Sequence, residues 1–241
     1  MVFGKMNNLN VLYEDNHIIV VEKIPNILSQ SDITGDKDLL SLVKEYVKEK
    51  YNKPGNVYIG LVHRLDRVVG GIMVFARTSK AASRLNEQIK SNKINKTYLA
   101  LVKGIIKEKK GIFEDYIYKD EKSLLAKITD EKNGKYSKLE YEVMDYIDGN
   151  SLVKINLITG RYNQIRLQFS SRNHPLIGDQ KYGIKDNKQI YLYAYKLEFI
   201  HPTTKELLSF KLLPKWKELE NNETIIHRLW WCYIRHYGKN L

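Results

Sequence analysis

The sequence predicts an α+β fold, with a mixed, mainly antiparallel sheet flanked by helices. Three observations carry that prediction. Short strand-like runs follow one another across turn residues, as at residues 11–13 and 18–21 around Asp15-Asn16. Two segments repeat apolar residues at helical spacing: Leu39, Leu40, Val43, Tyr46 and Val47, then Ala82, Leu85 and Ile89. Strands and helices do not alternate regularly, so a doubly wound parallel sheet is not expected.

The elements follow in order. Residues 11–21 read as a hairpin, and after a loop through residues 32–36 the first helix runs until just before Pro54-Gly55. A strand leads into His63, and the apolar run Ile72-Met73-Val74-Phe75-Ala76 reads as a strand buried on both faces. Ser79 is the expected N-cap of the second helix, whose outer face carries lysines and arginines. Strands are expected at residues 98–102, 112–118, 136–146 and 152–158, with Asp148-Gly149-Asn150 turning between the last two. Residues 160–169 read as a helix opened by Gly160, and residues 190–200 and 206–213 as strands around a turn at 201–204. At the end, Ile226, Trp230, Tyr233 and Tyr237 share a helical face, which predicts a helix docked on the body.

Lysine and arginine outnumber aspartate and glutamate by 40 to 28 in the 241 residues, a formal charge of +12. A polyanion is the natural partner, nucleic acid above all, and the 17 tyrosines offer faces on which bases stack. Two lysine-rich stretches, one from Lys80 through Arg84, Lys90 and Lys93 to Lys96 and one at Lys103, Lys107, Lys109 and Lys110, fit either RNA contacts or ordinary solvated faces. The longest apolar runs fall far short of a membrane span. A lone Cys232 permits no internal disulfide and no cysteine-based metal site. The composition therefore predicts a cytoplasmic, soluble protein without membrane attachment.

The segment His63-Arg64-Leu65-Asp66-Arg67, followed by Val68-Val69-Gly70-Gly71, sets one carboxylate between two arginines immediately before the buried strand. A carboxylate held by a cation and screened from water can act as nucleophile, base or electrostatic stabiliser. Arg166, in the context Gly-Arg-x-x-Gln-x-Arg, is a distant candidate partner. Taken alone, such a pair fits a structural salt bridge as well as a reacting group. The histidines are scattered, so no metal cluster is expected.

Several ordered motifs narrow the choice. "HRLDRVVGGIMVFART" at residues 63–78, "KTYLALVKG" at 96–104, "LITGRYNQIRLQF" at 157–169 and "HPLIGDQKYG" at 174–183 resemble, in order and spacing, the RluA family of pseudouridine synthases. "VLYEDNHIIVVEK" at 11–23 and "LEFIHP" at 197–202 resemble that family's first hairpin and late strands, so the similarity covers roughly residues 10 to 215.

The resemblance implies the pseudouridine synthase fold with a central active-site cleft, formed by residues 1–219, and a helical extension over 220–241. It implies isomerisation of a uridine in structured RNA, with 23S ribosomal RNA the expected substrate, transfer RNA the alternative, and no cofactor. Asp66 matches the residue that starts glycosidic cleavage, Tyr98 the tyrosine that packs on the base and helps remove its proton, and Arg166 the arginine that pairs with the aspartate. Arg64 matches the residue that displaces the flipped nucleotide, and Leu167 an apolar pocket neighbour; His63 and Gln164 lie in the same RNA-contacting motifs. His63 also fits a purely local role, holding its loop by a backbone hydrogen bond, while Asp179 reads as structural. A monomer without an obligate protein partner is expected, and target recognition is assigned to the catalytic surface because the first motif begins near residue 11. The competing class is a catalytically silent RNA-binding or ribosome-assembly factor with the same fold. Two positions depart from the family pattern: Val68-Val69 stand where Thr-Ser is common, and Asn163 where histidine is usual.

Overall fold

The computed structural model describes residues 9–220, 222–227 and 229. Strands β1 (Val11–Glu14) and β2 (Ile18–Lys23) form the expected hairpin, its turn closed by Asp15, whose side chain accepts from the amides of His17 and Ile18. Helix α1 (Leu39–Lys50) is capped by Asp38, whose carboxylate accepts from Ser41 N–H, and it buries Leu39, Val43 and Val47. Strands β3 (Gly60–Leu61) and β4 (Gly70–Ala76) flank the loop that carries Asp66. Helix α2 (Ser79–Lys90) is capped by Thr78 rather than Ser79: the Thr78 hydroxyl accepts from Ala81 N–H, which makes Ser79 the first helical residue.

Strands β5 (Asn95–Val102), β6 (Lys110–Asp120), β7 (Leu125–Thr129), β8 (Lys135–Ile147) and β9 (Asn150–Leu157) follow. The short β7 is not foreseen by the sequence pattern, since only Ala126 of its five residues is buried and the apolar alternation is weak. Helix α3 (Gln164–Ser170) starts four residues later than expected because Asn163 is left-handed, with φ of 51°, and closes a turn with Tyr162. Strands β10 (Leu192–Ile200) and β11 (Leu207–Lys211) and the short helix α4 (Lys217–Glu220) complete the named elements.

Among the described residues the strands form one sheet in the order β1-β2-β4-β10-β5-β9-β8-β6-β7, with β3 beside β4 and β11 beside β10. Every pairing is antiparallel except β4 with β10, which run parallel and meet only at Gly70 with Tyr193 and Gly71 with Ala194. Beyond that point they separate: β3 takes the edge of β4 at Phe75 and Ala76, and β11 takes the edge of β10 from Lys196 to Ile200. The Asp66 loop enters at this junction.

Burial on both faces of β4 has a simple cause. Met73 and Phe75 pack with β2 and the buried face of α1, while Ile72 and Val74 pack with Ala81, Ala82 and Leu85 of α2. A third cluster joins Leu99, Leu101, Leu152, Tyr193 and Tyr195 to Leu219, Ile225 and Leu229. Residues 223–227 are helical, while Trp230, Tyr233 and Tyr237 of the expected docking face lie outside the described residues.

Candidate active site

The loop between β3 and β4 is fixed through its backbone. Ser29 and Leu65 exchange two hydrogen bonds, the Leu65 amide donating to Ser29 Oγ at 3.1 Å and the hydroxyl donating to Leu65 O at 2.7 Å. Lys23, with no exposed surface, donates from Nζ to the carbonyls of Arg67 at 2.9 Å and Val69 at 2.8 Å. Gln189 Nε2 donates to Val68 O at 2.6 Å, and Asn26 N–H to Arg67 O at 2.8 Å. Four carbonyls around Asp66 are therefore held by groups from three other segments. That accounts for a stable loop with Val68 and Val69 in place of hydroxyl residues, because the supporting bonds reach the main chain rather than those side chains. Burial pulls the Lys23 ammonium down to about 7, against the opposing pull of Asp66.

His63 Nε2 accepts from Val74 N–H at 3.1 Å, so the ring proton sits on Nδ1. Burial, with Lys96 adding to it, lowers the imidazole to about 3, which keeps the acceptor neutral. The histidine thus ties the loop to β4.

Arg166 comes from α3, far away in sequence. Its Nη1 donates to Asp66 Oδ2 at 3.1 Å, while Nε and Nη2 clasp Asp179 at 2.9 and 2.6 Å. The Arg166 side chain is 5% exposed, that of Asp179 0%, and that of Asp66 30%, so the reactive-looking carboxylate is the one solvent can reach. Burial opposes the Arg166 charge, but Asp179 and then Asp66 outweigh it and hold the guanidinium above its usual range. Burial likewise works against the Asp179 carboxylate; Arg166 and the amides of Lys181 and Tyr182 overcome it and keep the group ionised. Tyr182 adds its ring 5.4 Å from the guanidinium, and its hydroxyl accepts from Asn163 Nδ2 at 3.2 Å. Asn163 therefore serves a turn that needs positive φ, which asparagine tolerates.

These groups open into a cleft of about 880 Å³. His63, Arg64, Asp66, Tyr98, Gln164 and Arg166 all line it, so the structure brings together six of the seven sequence-selected residues. Leu167 is not among the lining residues, whereas Ile165 is; two steps along an α-helix turn a side chain by about 200°. Tyr98 is 7% exposed, and burial, with the charge of Asp66 second, raises its phenol well above the ordinary range. Arg64 is exposed at the rim. Gln164 is engaged internally: Oε1 accepts from Thr159 Oγ1 and Arg161 N–H, and Nε2 donates to Gln168, which passes the chain of bonds to Asp115.

The sequence marks Asp179 as structural without its partner, and it does not single out Lys23. Asp179 follows a glycine in "HPLIGDQKYG", while the arginine that it holds lies 13 residues earlier. Lys23 closes an apolar strand, and a lysine at the inward end of such a run is itself a signal for a buried acceptor nearby.

Residues 17–171 match the family model described as RNA pseudouridylate synthase. A protein of Aquifex aeolicus named as an RNA pseudouridine synthase is 33% identical over 221 residues, covering 85% of this chain and 69% of the relative. The ribosomal large subunit pseudouridine synthase C of Buchnera aphidicola subsp. Acyrthosiphon pisum is 32% identical over 208 residues, covering 81% of this chain and 64% of the relative. The chain thus spans about two thirds of the length of these relatives. Among solved structures, human RNA pseudouridylate synthase domain containing 1 superposes with a TM-score of 0.70 at 22% identity, covering 89% of this chain and 86% of the other. Human RNA pseudouridylate synthase domain containing 4 gives 0.71 at 18% identity, over 86% of this chain and 89% of the other.

Proposed function

Because the chain belongs to the RNA pseudouridylate synthase family, we propose that it isomerises uridine to pseudouridine in structured RNA, with Asp66 as the group that starts the reaction. The observation that carries this reading is the arrangement at the cleft floor: a partly exposed Asp66 carboxylate bonded to Arg166, which is itself fixed by the buried Asp179. A surface salt bridge would need no such second anchor.

The reaction breaks the bond from C1′ of the ribose to N1 of uracil and makes one from C1′ to C5. The proton on C5 is lost and N1 gains one, so atoms balance without water or redox equivalents. A uracil in folded RNA has to leave its stack to reach the cleft, and Arg64, exposed at the rim, is placed to fill the space it vacates. Asp66, held in place by Arg166, then either attacks C1′ or takes a sugar proton. Tyr98 packs against the base. Its phenol is a poor base while Asp66 carries its charge, but either course neutralises that carboxylate and removes one of the two causes of the raised value. Tyr98 is thereby better suited to the late proton step than to the first one.

Ribosomal large-subunit RNA is the proposed substrate, supported by the names of relatives such as the Buchnera protein. Transfer RNA is the alternative. The test is single-turnover conversion on RNA from cells lacking the protein, read by pseudouridine mapping. Wild type should convert a small set of uridines, while Asp66→Ala should convert none and keep most of its RNA affinity, because phosphates supply most of the binding. Tight binding by wild type without conversion would instead support the silent RNA-binding factor.

A further inference from the structure

Lys96 stands two residues before Tyr98 on β5, and both side chains line the cleft. Successive same-face positions on a strand are about 7 Å apart, comparable with the reach from a pyrimidine ring to its own phosphate. The other cleft cations are either satisfied or solvated. Arg166 is clasped by carboxylates, Arg67 pairs with Asp36 at 2.7 Å, and Arg161 Nε donates to Tyr136 O at 2.9 Å. Arg64 and Lys90 are exposed. Lys96 alone among them is partly buried with an ammonium that makes no ion pair or hydrogen bond within the described residues.

Among the described residues no carboxylate pairs with its ammonium, although Asp66 lines the same cleft. Gly160 faces the ammonium so closely that a β-carbon there would lie 3.4 Å from Nζ, and the neutral His63 feels its charge. Burial lowers the Lys96 ammonium below the usual lysine range. A cation stripped of part of its water and left without a partner is costly, so it gains most from an anion that arrives with the ligand. Of the lysine-rich stretch from Lys80 to Lys96, Arg84 is spent on the carbonyl of Pro202, and only Lys90 and Lys96 reach the cleft.

We propose that Lys96 binds a phosphate flanking the nucleotide that packs on Tyr98, an ion pair made only when RNA occupies the cleft. This rests on the reading of the cleft as a uridine site. Lys96 is accordingly a substrate-binding residue that selects a nucleotide over a bare nucleoside.

The test compares uridine, uridine 3′-monophosphate, uridine 5′-monophosphate and inorganic phosphate by NMR titration of wild type, Lys96→Gln and Lys96→Arg. In wild type at least one monophosphate should bind about tenfold more tightly than uridine, as one charge-assisted hydrogen bond gives. Lys96→Gln should close that gap while leaving uridine affinity in place, and Lys96→Arg should keep most of it. Lys96→Gln should also melt at or above the wild-type temperature, because it removes an unpaired, partly buried charge. Equal wild-type affinity for uridine and both monophosphates would overturn the proposal, as would an undiminished gap in Lys96→Gln. Inorganic phosphate binding as tightly as the monophosphates would overturn it too, marking a site blind to the base. If neither uridine nor its monophosphates perturb the cleft, the uridine-site reading fails first and Lys96 with it.

Discussion

Asp66 and Asp179 share one arginine but differ in what they risk. Asp179 is fully buried, and among the described residues its charge is balanced by Arg166 alone, apart from two amides. Removing one partner of a buried pair costs about 3–5 kcal/mol, chiefly through the charge left behind. Asp179→Asn should therefore lose about that much in chemical denaturation, and single-turnover activity should fall as Arg166 loses its anchor. Asp66 is partly exposed, and Arg166 keeps Asp179 when it is replaced, so Asp66→Asn should cost within about 1 kcal/mol. Equal destabilisation by the two variants would contradict the proposed division into a reacting carboxylate and a positioning one. The sequence marks Asp66 by its neighbours, yet nothing local to Asp179 tells that its partner lies 13 residues earlier.

At the scale of elements, the site depends on how β4 and β10 meet. Their contact is confined to two residues on each strand, and Gly71 makes it possible. Its φ is 133°, and a β-carbon there would fall 2.4 Å from Ala194 O. An alanine would force both strained backbone and separation of the strands, so Gly71→Ala should lose about 3 kcal/mol or more. It should also slow conversion, since the Asp66 loop enters β4 one residue before Gly70. Wild-type melting and rate in Gly71→Ala would show that the junction is loose enough to admit a β-carbon. The same scale explains Leu167 and Ile165. A motif gives the helix its place in the order of the chain, while the phase at which the helix starts decides which side chain faces the cleft.

At the scale of the molecule, Lys23 couples the first hairpin to the loop at the sheet's centre and leaves a signature in global stability. Its folded value of about 7 lies below the ordinary lysine value near 10.4. Between those values the unfolded chain binds the extra proton, so stability contributed through Lys23 is lowest below pH 7 and rises toward pH 10. Lys23→Met lacks that slope. The stability advantage of wild type over Lys23→Met should accordingly widen from pH 6.5 to 9.5, by at most about 1.4 kcal/mol per pH unit. A constant gap would mean that Lys23 reaches water. Long-range charge acts at this scale as well: the excess of lysine and arginine favours an RNA surface whatever the details of the cleft.

The sequence by itself determined the α+β class, most element positions and the family. Apolar spacing and turn residues are local properties, and the resemblance to the family rests on the order and spacing of the motifs around Asp66, Tyr98 and Arg166. It also carried the burial of β4 on both faces, because an unbroken apolar run has no solvent side. Tertiary structure alone decided which groups complete the site. Asp179, Lys23 and Ser29 act across separations of 13 to 46 residues, and the isolation of the Lys96 ammonium among the described residues is visible only once its neighbours in space are known. The physical reason is that secondary structure follows from neighbours along the chain, whereas the balance of a buried charge depends on whatever the fold brings within a few ångströms.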